Sequence, residues 1–348
     1  MPSRRFPTRP LALLCGFGLL VLGVGPRSDE PARNCGCERD WVTVSPVGLR
    51  PFNAFKVLDG DHWLALGSDC LQASGDGGRH WRDLFCVAPE EQGRPEARLG
   101  TVQARSTDEI RLLQGWSILR HTRDGGQHWE RTTFSGKIIG GLLFTSPASG
   151  WVFGEVADAA DQPDVRGFAM ATRDGGASWQ ETPLGIAADY RWRVEDMAQA
   201  PDGTLWMIAD LLYQSTDGGK VWQAAAIDRQ QWYDQRNLSI GFAGEGVGWI
   251  ERLPAEDLFL TRDGGQSWGL RTPPAGVRLI DDLLYAGDHA LWLAAGNLWC
   301  SADFGVTWQR RLAVDADVPV YQIEALPGEN ALVAAGDTTT ILVGRCRR

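Results

Sequence analysis

Six aspartates stand in the same setting along the chain. Asp76, Asp124, Asp174, Asp217, Asp263 and Asp303 each hold the third place of the phrase Ser/Thr-x-Asp-x-Gly-x-x-Trp, which ends at Trp81, Trp129, Trp179, Trp222, Trp268 and Trp308. Carboxylates are what general acid–base chemistry or a hard cation would use. Such chemistry needs two or three of them over one ligand, and six equivalents distributed along a repeat do not converge. Their neighbours point to a turn instead. An Asp side chain accepts hydrogen bonds from backbone N–H groups just ahead of it, and glycine takes a positive φ without strain. The six carboxylates are therefore expected to be structural, with each closing tryptophan packed against the sheet behind its turn.

Two segments carry a different chemistry. Asp189-Tyr-Arg-Trp-Arg193 and Arg229-Gln-Gln-Trp-Tyr-Asp-Gln-Arg-Asn237 mix arginines with aromatics in a chain of net charge −10. Arginine, tyrosine and tryptophan dominate interaction hot spots, and a guanidinium holds a carboxylate by two parallel hydrogen bonds. Arg191, Trp192, Arg193, Arg229, Trp232, Tyr233 and Arg236 are thus candidates for gripping a carboxylate or an acidic peptide. The competing reading is a solvated loop with local ion pairs to Asp189, Asp196 and Asp234. The acidic balance argues against nucleic acid, which needs a concentrated basic surface. No phosphate-loop lysine, no Gly-x-Ser-x-Gly and no histidine pair at ligand spacing occurs, so no catalytic residue, metal or cofactor is expected.

The elements that must position these residues follow from the repeat. Successive phrases start 48, 50, 43, 46 and 40 residues apart, the length of one four-stranded antiparallel propeller blade. Aromatic second strands precede most of them, at Trp63, Trp151, Trp206, Trp249 and Trp292. The 42 glycines and 16 tryptophans fit many short strands with tight turns and large buried rings. Past the last phrase, 321–326, 331–335 and 340–343 supply three strands of a seventh blade. Its fourth is expected from Asp40-Trp41-Val-Thr-Val44, so that the two termini pair and leave no open sheet edge. The reading is an all-β, seven-bladed β-propeller over residues 40–348, acting as a monomer.

The first residues have an export layout: Arg4, Arg5 and Arg9, then an apolar run from Leu11 to Val24. Residues 1–25 are expected to be a signal peptide or N-terminal anchor, with a cysteine-containing linker at 26–39, placing the propeller in a periplasmic or extracellular space. With Cys15 set aside, Cys35, Cys37, Cys70, Cys86, Cys300 and Cys346 remain, an even number for an oxidising compartment. In the inferred register Cys346 ends a strand beside the one that Cys37 precedes, so a bond from Cys346 to Cys37 or Cys35 is expected. Cys70 and Cys86 lie opposite each other across a hairpin and form a second candidate pair.

The phrases resemble the Asp-box (BNR) repeats of sialidases, xyloglucan-type hydrolases, sortilin-type receptors and photosystem II assembly and stability factors. The longer run Ser149-Gly-Trp-Val-Phe-Gly-Glu155 followed by Ala171-Thr-Arg-Asp-Gly-Gly-Ala-Ser-Trp179 resembles the assembly factor family in particular, over nearly the whole mature chain. That resemblance implies an exported, non-enzymatic scaffold for membrane-protein assembly whose partner is a protein. The alternative is a glycan-binding or sialidase-like hydrolase propeller. Against it, no Arg-Ile-Pro precedes the first phrase, and Tyr321 with Glu324 makes a poor nucleophile pair.

Overall fold

The computed structural model describes residues 35, 39–156, 166–184, 193–225, 238–252, 257–286, 289–311, 319–327, 331–335 and 340–346. These form 28 strands in seven antiparallel sheets of four. Blade 1 shows the plan: Ala54–Val57, Trp63–Leu66, Cys70–Ser74 and Arg82–Cys86 pair in chain order, with the phrase forming the turn between the third and fourth strands. The first strands of successive blades lie against one another and form the inner ring. They are Ala54–Val57, Leu99–Ala104, Lys137–Phe144, Asp196–Gln199, Leu238–Phe242, Asp282–Tyr285 and Gln322–Leu326. Blade 7 closes as expected from the sequence. Arg39–Val44 is its outermost strand, antiparallel to Ile341–Cys346, with Trp41 opposite Gly344. Contact between the first strands of blades 7 and 1 completes the ring.

Each turn is built the same way. The Ser or Thr hydroxyl donates to its Asp at 2.6–2.9 Å and accepts the N–H of the second glycine at 2.7–2.9 Å. The same Asp oxygen accepts the N–H four residues on, as from Ser267 to Asp263 at 2.9 Å. Where that fourth residue is polar its side chain takes the other oxygen: His80, His128, Ser178, Ser267 and Thr307 all do so. Both glycines have positive φ in five copies. In the sixth, Phe304 takes the first glycine's place at φ 62, buried beneath the guanidinium of Arg262, which lies 4.0 Å above its ring.

At two junctions the second glycine also decides how blades meet. In blades 3 to 6 the second-strand tryptophan sits one residue beyond the partner of the hydroxyl residue. Leu205 pairs with Ser215, for example, and Trp206 follows. That register turns the indole toward the next blade. A Cβ added at Gly219 would come within 3.2 Å of Trp151, and one at Gly265 within 2.3 Å of Trp206. Blade 1 departs from this register. Trp63 itself pairs with Ser74, and since side chains alternate faces along a strand, it points the other way. It packs with Phe55, Trp81 and Val333 toward blade 7.

Blade 2 departs further, with Arg111 in the tryptophan's place. Its buried guanidinium bonds to Glu109 at 2.7 Å and to the Pro147 carbonyl at 3.1 Å, and lies 3.6 Å from the Phe144 ring centre. A cation and an aromatic ring here do what an indole does elsewhere.

Two disulfides are present among the described residues. Cys70 and Cys86 face each other in register, with Cα atoms 4.2 Å apart. Cys35 bonds to Cys300, which corrects the expectation that Cys35 could close the ring through Cys346. The residue sits in a core shared by Trp292, Cys300 and Leu332, so Cys35 is tied into blades 6 and 7. Cys37, the other expected partner of Cys346, lies outside the described residues.

Gly265→Ala and Gly276→Ala separate strain from crowding, because both positions have positive φ (94° and 87°) but only Gly265 lies against a ring. Both substitutions should destabilise through φ. Gly265→Ala should cost about 1–3 kcal/mol more, the usual range for overpacking, when unfolding is followed in urea.

Candidate partner-binding face

Antiparallel order sorts the loops onto two faces. The six turns share one face with the links between first and second strands. The links between second and third strands, and those joining blades, share the other. The six turns are held by their own hydrogen bonds. Backbone and side-chain donors hold Asp124, Asp174 and Asp263 down to about 2, and also keep Asp76, Asp217 and Asp303 below the ordinary carboxylate range. Carboxylates so engaged are acceptors for the turn and stay ionised.

The arginine-aromatic candidates fall, in chain order, between blades 3 and 4 and between blades 4 and 5. Of them Arg193 is described. Arg191, Trp192, Arg229, Trp232, Tyr233 and Arg236 lie outside the described residues. Arg193 is held by Glu195 through two bonds, Nε to Oε1 at 2.6 Å and Nη2 to Oε2 at 2.7 Å. Its partner among the described residues is thus Glu195; Asp189, the other expected partner, lies outside them. The pair borders a small cavity of about 200 Å³ with Ile138, Gly140, Gly154 and Glu155. Asp196 turns inward instead. Its Oδ2 accepts the Ile240 N–H of the next blade at 2.9 Å and the Ser239 hydroxyl at 3.1 Å.

Asp282 repeats that arrangement, accepting the Ile323 N–H of blade 7 at 3.0 Å. Between these two staples lies Glu251, with one carboxylate oxygen shielded from solvent and without a hydrogen-bond partner among the described residues. Burial pushes Asp196 up to about 6 and Asp282 up to about 7. Burial and the charges of Asp282, Asp196 and Asp281 push Glu251 up to about 8. Each therefore keeps its proton in the folded chain at pH values where the unfolded chain, near 4, has released it. Their stabilising contribution is fully present near pH 4 and is lost as pH rises through about 6, 7 and 8. The turn carboxylates act oppositely, with support that is lost on acidification below about pH 4.

Sequence reasoning passed over Trp116. It lies in the link between the second and third strands of blade 2, directly after a strand, and is 56% exposed, while every other described tryptophan is at least partly buried. It borders a cavity of about 450 Å³ with Asn53, Ser68, Arg98, Thr101 and Gly140. The signal was its position: a tryptophan outside the repeat register of both the turn and the second strand.

These features define a seven-bladed β-propeller with one face of closed turns and one of open links. No family model matches the chain. It is similar to photosystem II assembly and stability factors. The photosystem II assembly lipoprotein Ycf48 of Synechococcus sp. (strain CC9902) is 26% identical over 307 residues, covering 84% of both chains. The chloroplastic photosystem II stability/assembly factor HCF136 of Arabidopsis thaliana is 22% identical, over 90% of this chain and 80% of its own.

Among solved structures, Ycf48 bound to D1 peptide superposes with a TM-score of 0.63 at 21% identity, covering 88% of this chain and 97% of that one. A catalytically inactive virginiamycin B lyase from Staphylococcus aureus with quinupristin gives 0.65 at 12% identity, covering 89% and 100%. A lyase and an assembly factor thus share this fold, and fold alone does not decide activity. No helix among the described residues is long and apolar enough to cross a membrane.

Glu251→Gln reproduces the protonated carboxyl without its titration. Calorimetric melting of the wild type should show higher stability at pH 5 than at pH 9, and the variant should flatten that slope. Equal slopes would mean that Glu251 ionises freely in the folded chain.

Proposed function

We propose that this chain is an exported, non-enzymatic scaffold that binds an envelope or membrane protein during assembly of a complex. The observation that carries this reading is similarity to assembly factors along more than four fifths of the chain. One of those relatives is named a lipoprotein, and a structurally similar propeller is titled as peptide-bound. Residues 1–25 deliver the propeller as signal or anchor, and residues 40–348 form the single binding domain. Cys37 and Cys346 add a further tie at the ring closure.

The geometry agrees with binding over catalysis. The repeated carboxylates are consumed in their turns, and the two closed inner-ring aspartates serve the next blade's backbone. The open links present arginines and tryptophan, the residue types on which protein interfaces concentrate their energy. Arg191, Trp192, Arg193, Arg229, Trp232, Tyr233 and Arg236 contribute to that face.

Affinity capture from the native cell envelope tests the reading. Wild-type protein should retain one membrane or envelope protein in near-stoichiometric amount. The combined variant Arg191→Ala, Arg193→Ala, Arg229→Ala and Arg236→Ala should lose about tenfold or more of it, with unchanged melting, as expected when hot-spot arginines go. Retention of nothing specific by the wild type would overturn the scaffold reading.

A further inference from the structure

On the open face the two cavities meet at Gly140, which lines both. Together they make a groove that runs from Asn53 and Ser68 of blade 1, past Trp116, to Glu155 and the Arg193–Glu195 pair. Its walls come from irregularities in two inner strands. In blade 2, Leu99 pairs with Gln114 but the next pair is Val102 with Leu112, so Gly100 and Thr101 face a single residue. In blade 3, Gly140 is an extra residue between Ile139 and Gly141. Bulges of this kind bend a strand and release it from its ladder, and here both open onto the groove.

Trp116 is exposed yet fixed. Gly115 before it has φ 58, donates its N–H to the Arg98 carbonyl at 2.7 Å, and would drive an added Cβ to 2.1 Å from the Glu96 carbonyl. Only glycine lets the link lie so tightly on the 95–98 segment, and that contact sets the Trp116 and Arg98 side chains on the same rim. From the next blade, Ile139 donates its N–H to the Trp116 carbonyl at 2.6 Å. An indole held by its backbone on two sides while its ring stays in water is a preorganised contact, for which little ordering entropy remains to be lost on binding.

The groove is also bipolar. Arg98 is the one charged residue lining the Trp116 cavity, and it meets Ser68 Oγ at 3.2 Å with no carboxylate partner among the described residues. At the other end Glu155 and Glu195 outnumber Arg193, and Arg193 is already engaged by Glu195. One end therefore favours an anion and the other a cation, with an aromatic surface and a glycine floor between them.

We infer that this groove binds an extended peptide segment of the partner, in which an apolar side chain lies on Trp116 between a carboxylate held by Arg98 and a cationic side chain held at Glu155. The inference rests on the scaffold reading and names its contact chemistry. It differs from the arginine-loop surface in requiring both signs of charge and a central apolar residue.

Short fluorescein-labelled peptides with blocked termini test it without knowledge of the natural partner. The probe is acetyl-Asp-Gly-Leu-Phe-Gly-Lys-amide, with versions carrying Asn for Asp, Gln for Lys, or both, followed by fluorescence anisotropy. The doubly charged peptide should bind about tenfold more tightly than the neutral one. Trp116→Ala should weaken all four by about tenfold, a hot-spot loss, with melting unchanged because the ring is exposed. Arg98→Gln should abolish discrimination against Asn while keeping that against Gln, and Glu155→Gln the converse, as coupling in double-mutant cycles requires. Four equal affinities, or indifference to Trp116→Ala, would overturn the groove. If Trp116→Ala, Arg98→Gln and Glu155→Gln also capture the envelope partner as the wild type does, the scaffold reading stands while the groove falls. If the wild type captures no partner, that reading falls whatever the peptides show.

Discussion

The contact that joins blade 3 to blade 4 and blade 4 to blade 5 is an indole laid over a glycine of the neighbouring blade. Side-chain alternation along a strand means that a blade has two faces, and a propeller needs each face to fit the opposite face of the next blade. Trp151 over Gly219 and Trp206 over Gly265 satisfy that need at the rim. The glycine must be bare to admit the ring, and it must have positive φ to make the turn. A single residue type meets both demands. The buried hydroxyl beneath it fixes the glycine's N–H, and the aspartate fixes the hydroxyl. The repetition of the phrase, six times over, is thus the signature of one turn built repeatedly, with its own aspartate bound into that turn each time.

Nearer the axis the blades are joined by polar groups. Asp196 and Asp282 reach across to backbone N–H groups of the following first strands. Gln103 does the same with both its amide atoms at Phe144, and Lys56 pairs with Glu324 where the ring closes. A buried carboxyl is costly as an anion, so these staples serve best while partly protonated. Rim and axis consequently respond to acid in opposite ways: the turns need ionised aspartates, the inner ring needs protonated ones. The closure adds covalent insurance, since Cys35 enters the core between blades 6 and 7 before the first strand begins.

The fold was legible because its unit is local. Asp-x-Gly specifies a turn within eight residues, and six copies at blade spacing leave few alternatives, so that even pairing of the termini through Trp41 followed from strand counting. What could not be read was register to one residue. Trp63 looks equivalent to Trp206 in sequence, yet its pairing with Ser74 places it on the other face. Arg111 was invisible as a substitute for tryptophan because its role needs Glu109, Pro147 and Phe144 from two blades at once. Cys300 likewise is a partner because Cys35 sits in the core beside Trp292, a position that spacing alone does not give.

The binding face was legible by composition and obscure in detail for the same reason. Arginines and aromatics in loops mark a surface, but whether a guanidinium is available depends on neighbours distant in sequence or on the next residue but one. Arg193 stands in a run that reads as a carboxylate clamp, and Glu195 occupies it. Arg98 stands in an acidic stretch, and the approach of Gly115 leaves it beside an exposed indole, bonded to the Ser68 hydroxyl and to no carboxylate among the described residues. A propeller makes such sites because its interior is settled by repeated contacts, so that links between blades are free to carry residues the packing does not require. Departures from the repeat are then the informative positions: Trp116 is exposed because it lies outside every register that the core uses, and held in place by the backbone bonds of Gly115 to Arg98 and of Ile139 to Trp116 itself.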